Sequence, residues 1–304
     1  MHVRAAIPLA TWPIRRRCER GNGWHEWPLV LFTVLGQCVA GATIISGMGW
    51  LAARHESADQ RRIVLSMFFL WVIMGIAFFA SVLHLGSPLR AFNSLNRVGA
   101  SALSNEIASG SLFFAVGGFW WLLSALGKMP QALGRIWLIV SMLLGLVFVW
   151  AMTRVYQIDT VPTWYNGYTT ASFFLTVLLT GPLFATLLLK LAKVPFNGKF
   201  FAALSVLALL ASLAVVVLQT SELGFIHSSV QQANALLLDW GVWQVWRFVL
   251  LAAGLGCWIC PLLRRVPSTA LGLTVGLVLM IAGELIGRGL FYGLHMTVGM
   301  AIAG

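Results

Sequence analysis

The stretch Ile63-Val-Leu-Ser-Met-Phe-Phe-Leu-Trp-Val-Ile-Met-Gly-Ile-Ala-Phe-Phe-Ala-Ser-Val-Leu-His84 carries no Asp, Glu, Lys or Arg. At 1.5 Å per helical residue it is long enough to cross a hydrocarbon core about 30 Å thick. It runs into a polar island, Leu-Gly-Ser-Pro-Leu-Arg90-Ala-Phe-Asn-Ser-Leu-Asn-Arg97-Val-Gly-Ala-Ser-Ala-Leu-Ser-Asn-Glu106, after which a second apolar run begins. The island joining the two spanning segments stays at the membrane surface that the first has just reached. An imidazole and a carboxylate therefore meet at one face of the bilayer, where proton chemistry can reach a lipid-soluble substrate.

The rest of the chain repeats the pattern. Of 304 residues, 59% are hydrophobic and 10% charged, and the mean hydropathy is +0.87, values far from those of a water-soluble domain. Apolar runs fall at about residues 27–51, 63–85, 103–126, 136–156, 169–192, 200–221, 242–263 and 269–290. The expected fold is all-α, a polytopic bundle of eight transmembrane helices forming one domain over residues 21–304, with its backbone polar groups satisfied inside each helix.

Basic residues set the expected orientation. Connections after the odd-numbered runs hold Arg54, Arg61, Arg62, Lys128, Arg135, Lys190, Lys193, Lys199, Arg264 and Arg265, whereas the opposite side holds Arg90, Arg97, Arg154 and Arg288. The bias places the odd connections in the cytoplasm and both ends of the bundle in the periplasm of a bacterial inner membrane. The net charge of +11 is thus a topology signal, and nucleic acid is not expected as a partner. Residues 1–20, with Arg4, Arg15, Arg16, Arg17 and Arg20, contradict the bias and lack the apolar core of a signal peptide. They are expected to be a disordered basic extension or an upstream start.

Several local features carry packing expectations. Gly272, Gly276, Gly283 and Gly287 lie on one stripe of the last run, where small residues let helices approach closely. Gly181-Pro182 predicts a kink. Trp27, Trp50, Trp120, Trp121, Trp137, Trp164, Trp240 and Trp243 lie near helix ends, as an interfacial belt requires. Cys257 and Cys260 form a C-x-x-C without a βαβ context and are expected to be buried small residues.

Beyond residue 20, all acids and histidines except His55, Glu56 and Asp59 fall on the predicted outer side. Each has a bland reading. His84 in a last helical turn offsets the helix dipole, and Glu106 in a first turn favours the positive end of the next helix. His25 and Glu26 between Trp24 and Trp27 fit an interfacial anchor, and His227 fits a surface loop as well as a docking surface. Glu284 and Arg288, spaced i,i+4, fit a structural ion pair. His84 and Glu106 outweigh their bland readings because a carboxylate at the membrane boundary is costly unless paired or wetted, and Arg90 and Arg97 share their connection. Haem is not expected, because no histidine pair faces into the bundle from mid-membrane, and no other metal is expected in this chain.

The string Gly21-Asn-Gly-Trp-His-Glu-Trp-Pro28, the island ending at Glu106, Asp159-Thr-Val-Pro-Thr-Trp164, Ile226-His-Ser-Ser-Val-Gln-Gln-Ala233 and the tail from Glu284 to Met300 resemble the membrane-anchor subunits of anaerobic dimethyl sulfoxide reductases, and within that family its paralogous, selenate-linked branch. The resemblance covers residues 21–304, and the family usually starts near Gly21. It implies an eight-helix subunit that tethers a molybdopterin catalytic subunit and an iron-sulfur electron-transfer subunit and oxidises menaquinol within membrane lipid. It matches the family's quinol-site histidine and glutamate to His84 and Glu106. His84 would then be the first proton acceptor and Glu106 the relay to water, with Arg90 and Arg97 holding the loop or steadying negative charge on the departing quinolate. With no redox metal in the chain, the iron-sulfur partner would dock near the quinol site. A proton-coupled transporter and a passive anchor without quinol chemistry remain the other readings. A transporter would need an ionisable residue near mid-membrane and broken helices, of which only Gly181-Pro182 is visible.

Overall fold

The computed structural model describes residues 26–54, 57–84, 95–226 and 239–296, and within them the chain is all-helical. The helices are α1 (Trp27–Ala52), α2 (Ala58–Ser66), α3 (Phe68–His84), α4 (Ala102–Ala125), α5 (Gln131–Tyr156), α6 (Gly167–Leu191), α7 (Gly198–Leu223), α8 (Trp240–Leu263) and α9 (Ala270–Gly293), with a single 3₁₀ turn at Leu95–Arg97. Among the described residues, eight spans are long and apolar enough to cross a bilayer, the second made of α2 and α3 together. Residues 1–20 and the helix-opening His25 lie outside the described residues.

The second span starts five residues earlier than its apolar run. Ala58–Arg62 reads as a polar loop, yet Ser57 caps it by accepting from the Gln60 backbone N–H at 3.2 Å, and Asp59 pairs with Arg62. Gln60 is buried: its amide donates to the Trp50 carbonyl and accepts from Gln131, both at 3.1 Å. Tertiary hydrogen bonds thus convert a polar prelude into helix, and they tie together α1, α2 and α5 at one end of the bundle.

α1 and α6 form the centre of the bundle. They pack extensively against each other, α1 also touches α3, α5 and α9, and α6 touches α7 and α9. Gly41 and Gly181 are the reason these two helices can meet so closely. A Cβ on Gly41 would lie 2.6 Å from the Val177 carbonyl oxygen, and one on Gly181 would lie 2.6 Å from the Gly41 Cα. Gly41→Val is therefore expected to abolish accumulation of folded protein in membranes, while Gly118→Ala, which faces open space, leaves it unchanged; immunoblotting of membranes checks both.

Gly181-Pro182 does not interrupt α6, which runs unbroken to Leu191. Pro182 has no N–H to give the carbonyl four residues earlier, Leu178. The Ser205 hydroxyl of α7 donates to that carbonyl at 3.1 Å instead. A backbone acceptor freed inside lipid is thus satisfied by the neighbouring helix.

The glycine stripe of α9 packs on α8 at three of its four members. Gly276 sits against the Gly254 carbonyl, Gly283 against the Arg247 carbonyl and Gly287 against the Arg247 side chain, whereas Gly272 faces only its own N-cap, Thr269.

The tryptophans near the helix ends divide between surface and interior. Trp27 and Trp243 are exposed, but Trp50, Trp120, Trp164 and Trp240 are buried. Inward indoles find backbone acceptors: Trp120 donates to the Gly134 carbonyl at 2.8 Å, Trp121 to Val64, Trp137 to Val116 and Trp164 to Phe291. An indole N–H is costly to leave unpaired in a dry interior, so the large ring turns inward where a neighbouring backbone offers an oxygen. The cysteines also differ from the expectation. Cys260 is exposed on the lipid-facing surface and Cys257 half-buried, so only Cys38 of the described cysteines is a buried filler.

Candidate functional site

α3 ends at His84 and α4 begins at Ala102, so the proposed pair belongs to one end of the bundle. The His84 side chain and Arg90 lie outside the described residues, and Arg97, in the 3₁₀ turn, is exposed. Glu106 is where the structure departs from the bland reading. Ser101 is the N-cap of α4, so Glu106 lies beyond the first turn, on the face that carries buried Gly110, Phe113 and Gly117. Its side chain is only 4% exposed, and Oε1 has no hydrogen-bond partner among the described residues. Asn105, one residue earlier, faces the other way and accepts from the Gly99 backbone N–H at 2.6 Å. Gly99 has φ +87°, a left-handed turn that reverses the chain before α4.

Two tyrosines complete this end. Tyr156 closes α5 and Tyr292 lies in the last turn of α9. The Tyr292 hydroxyl donates to that of Tyr156 at 2.6 Å, and both rings are buried with Trp164, Phe173 and Phe291. Both hydroxyls lie within electrostatic reach of the Glu106 carboxylate and the Arg288 guanidinium. The α5–α6 connection seals the cluster: Thr163 donates to the Leu294 carbonyl at 2.6 Å, and the Trp164 ring lies 4.8 Å from that of His295. Tyr156→Phe removes one buried hydrogen bond and is expected to cost about 1 kcal/mol of stability, a small drop in the thermal midpoint.

Deeper in the bundle lies a charged seam that helical spacing alone divides wrongly. Glu284 does not take Arg288 as its hydrogen-bonded partner. Its Oε1 accepts from Arg247 of α8 at 3.0 Å and its Oε2 from Thr176 of α6 at 2.5 Å. Arg288 donates to Gln37 of α1 at 2.8 Å and stands 3.6 Å over the Phe173 ring. All five polar side chains are buried. Glu284 lies well inside α9, nine positions before Gly293, about 14 Å along the axis. Beside the seam is a cavity of about 30 Å³ bordered by Ser172, Ser212, Gln219 and Gln244, wide enough for a water molecule.

Arg247, Thr176, Gln37 and the tyrosine pair do not stand out in the sequence as site residues. One signal is present for Arg247, because a lone arginine inside an apolar run implies a buried acidic partner, and among the described residues Glu284 is an acid well inside another helix. Of the other acids and histidines, Glu222 accepts from the Tyr168 hydroxyl at 2.5 Å, and His227 lies outside the described residues. Among the described residues, no three His, Cys, Asp or Glu side chains group closely enough to hold a metal ion.

The sequence matches a known family. A family profile for the DMSO reductase anchor subunit (DmsC) matches residues 20–294. The protein is 68% identical over 284 residues to the anaerobic dimethyl sulfoxide reductase polypeptide YnfH of Escherichia coli (strain K12), covering 93% of its own length and 100% of that relative. It is 59% identical over 285 residues to the C subunit of anaerobic dimethyl sulfoxide reductase from the same organism, and 41% identical over 285 residues to the C subunit of the Haemophilus influenzae enzyme, each match covering 93% of the protein and 99% of the relative. An eight-span helical bundle matched over nearly its whole length leaves one assignment: the chain belongs to the DMSO reductase anchor subunit (DmsC) family.

Proposed function

We propose that this anchor subunit binds and oxidises menaquinol at the end of the bundle where α3 meets α4. Oxidation of a quinol releases two electrons and two protons, so the site needs proton acceptors in a place a lipid-soluble ring can reach. The observation that carries the reading is Glu106, a buried carboxylate with one oxygen unpartnered among the described residues. A buried carboxyl group with an oxygen unpartnered among the described residues is costly to the fold, and a proton-handling task accounts for its presence. His84 takes the first proton from a quinol hydroxyl and Glu106 carries protons toward water. Arg90 and Arg97 steady the connection and the negative charge that develops on the quinol oxygen.

Electrons pass to an iron-sulfur subunit docked at the same end, and from it to a molybdopterin subunit that holds the terminal reduction site. The positive-inside bias supports a periplasmic position for that end, in a bacterial inner membrane. The transporter reading gains one observation, the buried Arg247–Glu284 pair, but both charges are neutralised by each other and the adjoining cavity is of water size. Quinol-driven and artificial-donor-driven reduction by the assembled complex separate quinol oxidation from passive anchoring.

A further inference from the structure

At the end of the bundle opposite Glu106, a groove lies between α7 and α8. α7 is held to α6, where Ser205 donates to the Leu178 carbonyl, and α8 to α9, where Gly254 meets Gly276. Between the two helix pairs runs a trench of about 630 Å³ on the lipid-facing surface. Its walls are apolar, with Ala203, Val206 and Leu207 from α7 and Ile259 and Leu263 from α8, while Lys199 and Arg265 stand at its mouth. From Lys199 to Leu207 is eight residues of helix, about 12 Å, most of the depth of one bilayer leaflet at roughly 15 Å.

The flanking connections leave the charge at the mouth unbalanced. Residues 192–197 and 264–269 contribute Lys193, Arg264 and Arg265 and contain no carboxylate. Lys199 and Arg265 are exposed and make no ion pair among the described residues. The left-handed backbone of Arg265, φ +56°, turns the chain away just after α8.

We propose that this trench is a binding site for an anionic phospholipid, with an acyl tail along the α7–α8 walls and the phosphate between Lys199 and Arg265. A protein partner is disfavoured because the walls descend into the hydrocarbon layer, whereas the cations stand at headgroup level. Each cation at the membrane surface strengthens anionic-lipid binding about fivefold. The Lys199→Gln, Arg265→Gln double variant therefore binds such a lipid about 25-fold more weakly.

The test is native mass spectrometry of the detergent-solubilised complex with added phosphatidylglycerol, phosphatidylcholine or inorganic phosphate. Phosphatidylglycerol is expected to be retained in preference to phosphatidylcholine, and the preference to vanish in the double variant. Ala203→Trp, which fills the trench, is expected to expel both lipids. Equal retention of the two lipids, a preference that survives the double variant, or displacement of lipid by inorganic phosphate would each overturn the proposal. Loss of partner subunits from the double variant with lipid retention unaltered would mark a protein-docking face and overturn it as well.

Discussion

Glu106→Gln is expected to lower quinol-driven reduction by the assembled complex about 10²- to 10⁴-fold, the range over which a positioned acid or base acts. Reduction driven by an artificial donor that feeds the catalytic subunit directly should not change. Glutamine preserves the shape of the side chain and removes its capacity to accept a proton. The substitution also makes a second, opposite prediction about stability. Glu106 is buried with an oxygen unpartnered among the described residues, so a neutral amide in its place should leave the thermal midpoint equal or higher. Loss of quinol-driven activity together with a lower midpoint and less assembled complex would point to structural damage. Unchanged quinol-driven activity would leave a passive anchor. His84→Gln should reproduce the kinetic result.

The largest effect on stability is expected at the charged seam. Removing one member of a buried ion pair costs about 3–5 kcal/mol, because the remaining charge is stranded in a low-dielectric interior. The two members are not equivalent. Arg247→Met leaves Glu284 with the Thr176 hydroxyl and within reach of Arg288. Glu284→Ala leaves two guanidinium groups near one another with no anion between them, and should be the more damaging. The Arg247→Met, Glu284→Met double variant removes both charges and should recover most of the loss. Thermal unfolding of the purified complex measures the three variants, and a double variant no more stable than the worse single one would contradict this account.

The seam also shows where sequence reading reaches its limit. Arg247, Glu284 and Arg288 are each visible as charges in apolar runs, and the i,i+4 spacing of the last two suggests a local pair. Spacing reports only neighbours on one helix. The partner actually chosen lies 37 positions away on α8, brought close because Gly283 and Gly287 let Arg247 lie flat against α9. Gln60 teaches the same lesson in reverse, since a polar residue that reads as loop is helical and buried once Trp50 and Gln131 supply its hydrogen bonds.

What the sequence determined by itself is what one-dimensional patterns can encode: eight apolar runs of spanning length, the charge bias between their connections, and the motif strings that carry the family resemblance. Spans follow from length and hydropathy because lipid forces every backbone group to be satisfied within its own helix. The tertiary structure alone decided which faces of those helices meet. It turned four tryptophans inward, gave Glu284 to Arg247 and left a trench between α7 and α8. It also buried Glu106 on the core face of α4 while Asn105 beside it turned back to the loop. In an apolar chain nearly every face is hydrophobic, so periodicity does not distinguish protein-facing from lipid-facing sides. Close backbone approach and the pairing of a few buried polar groups make that choice.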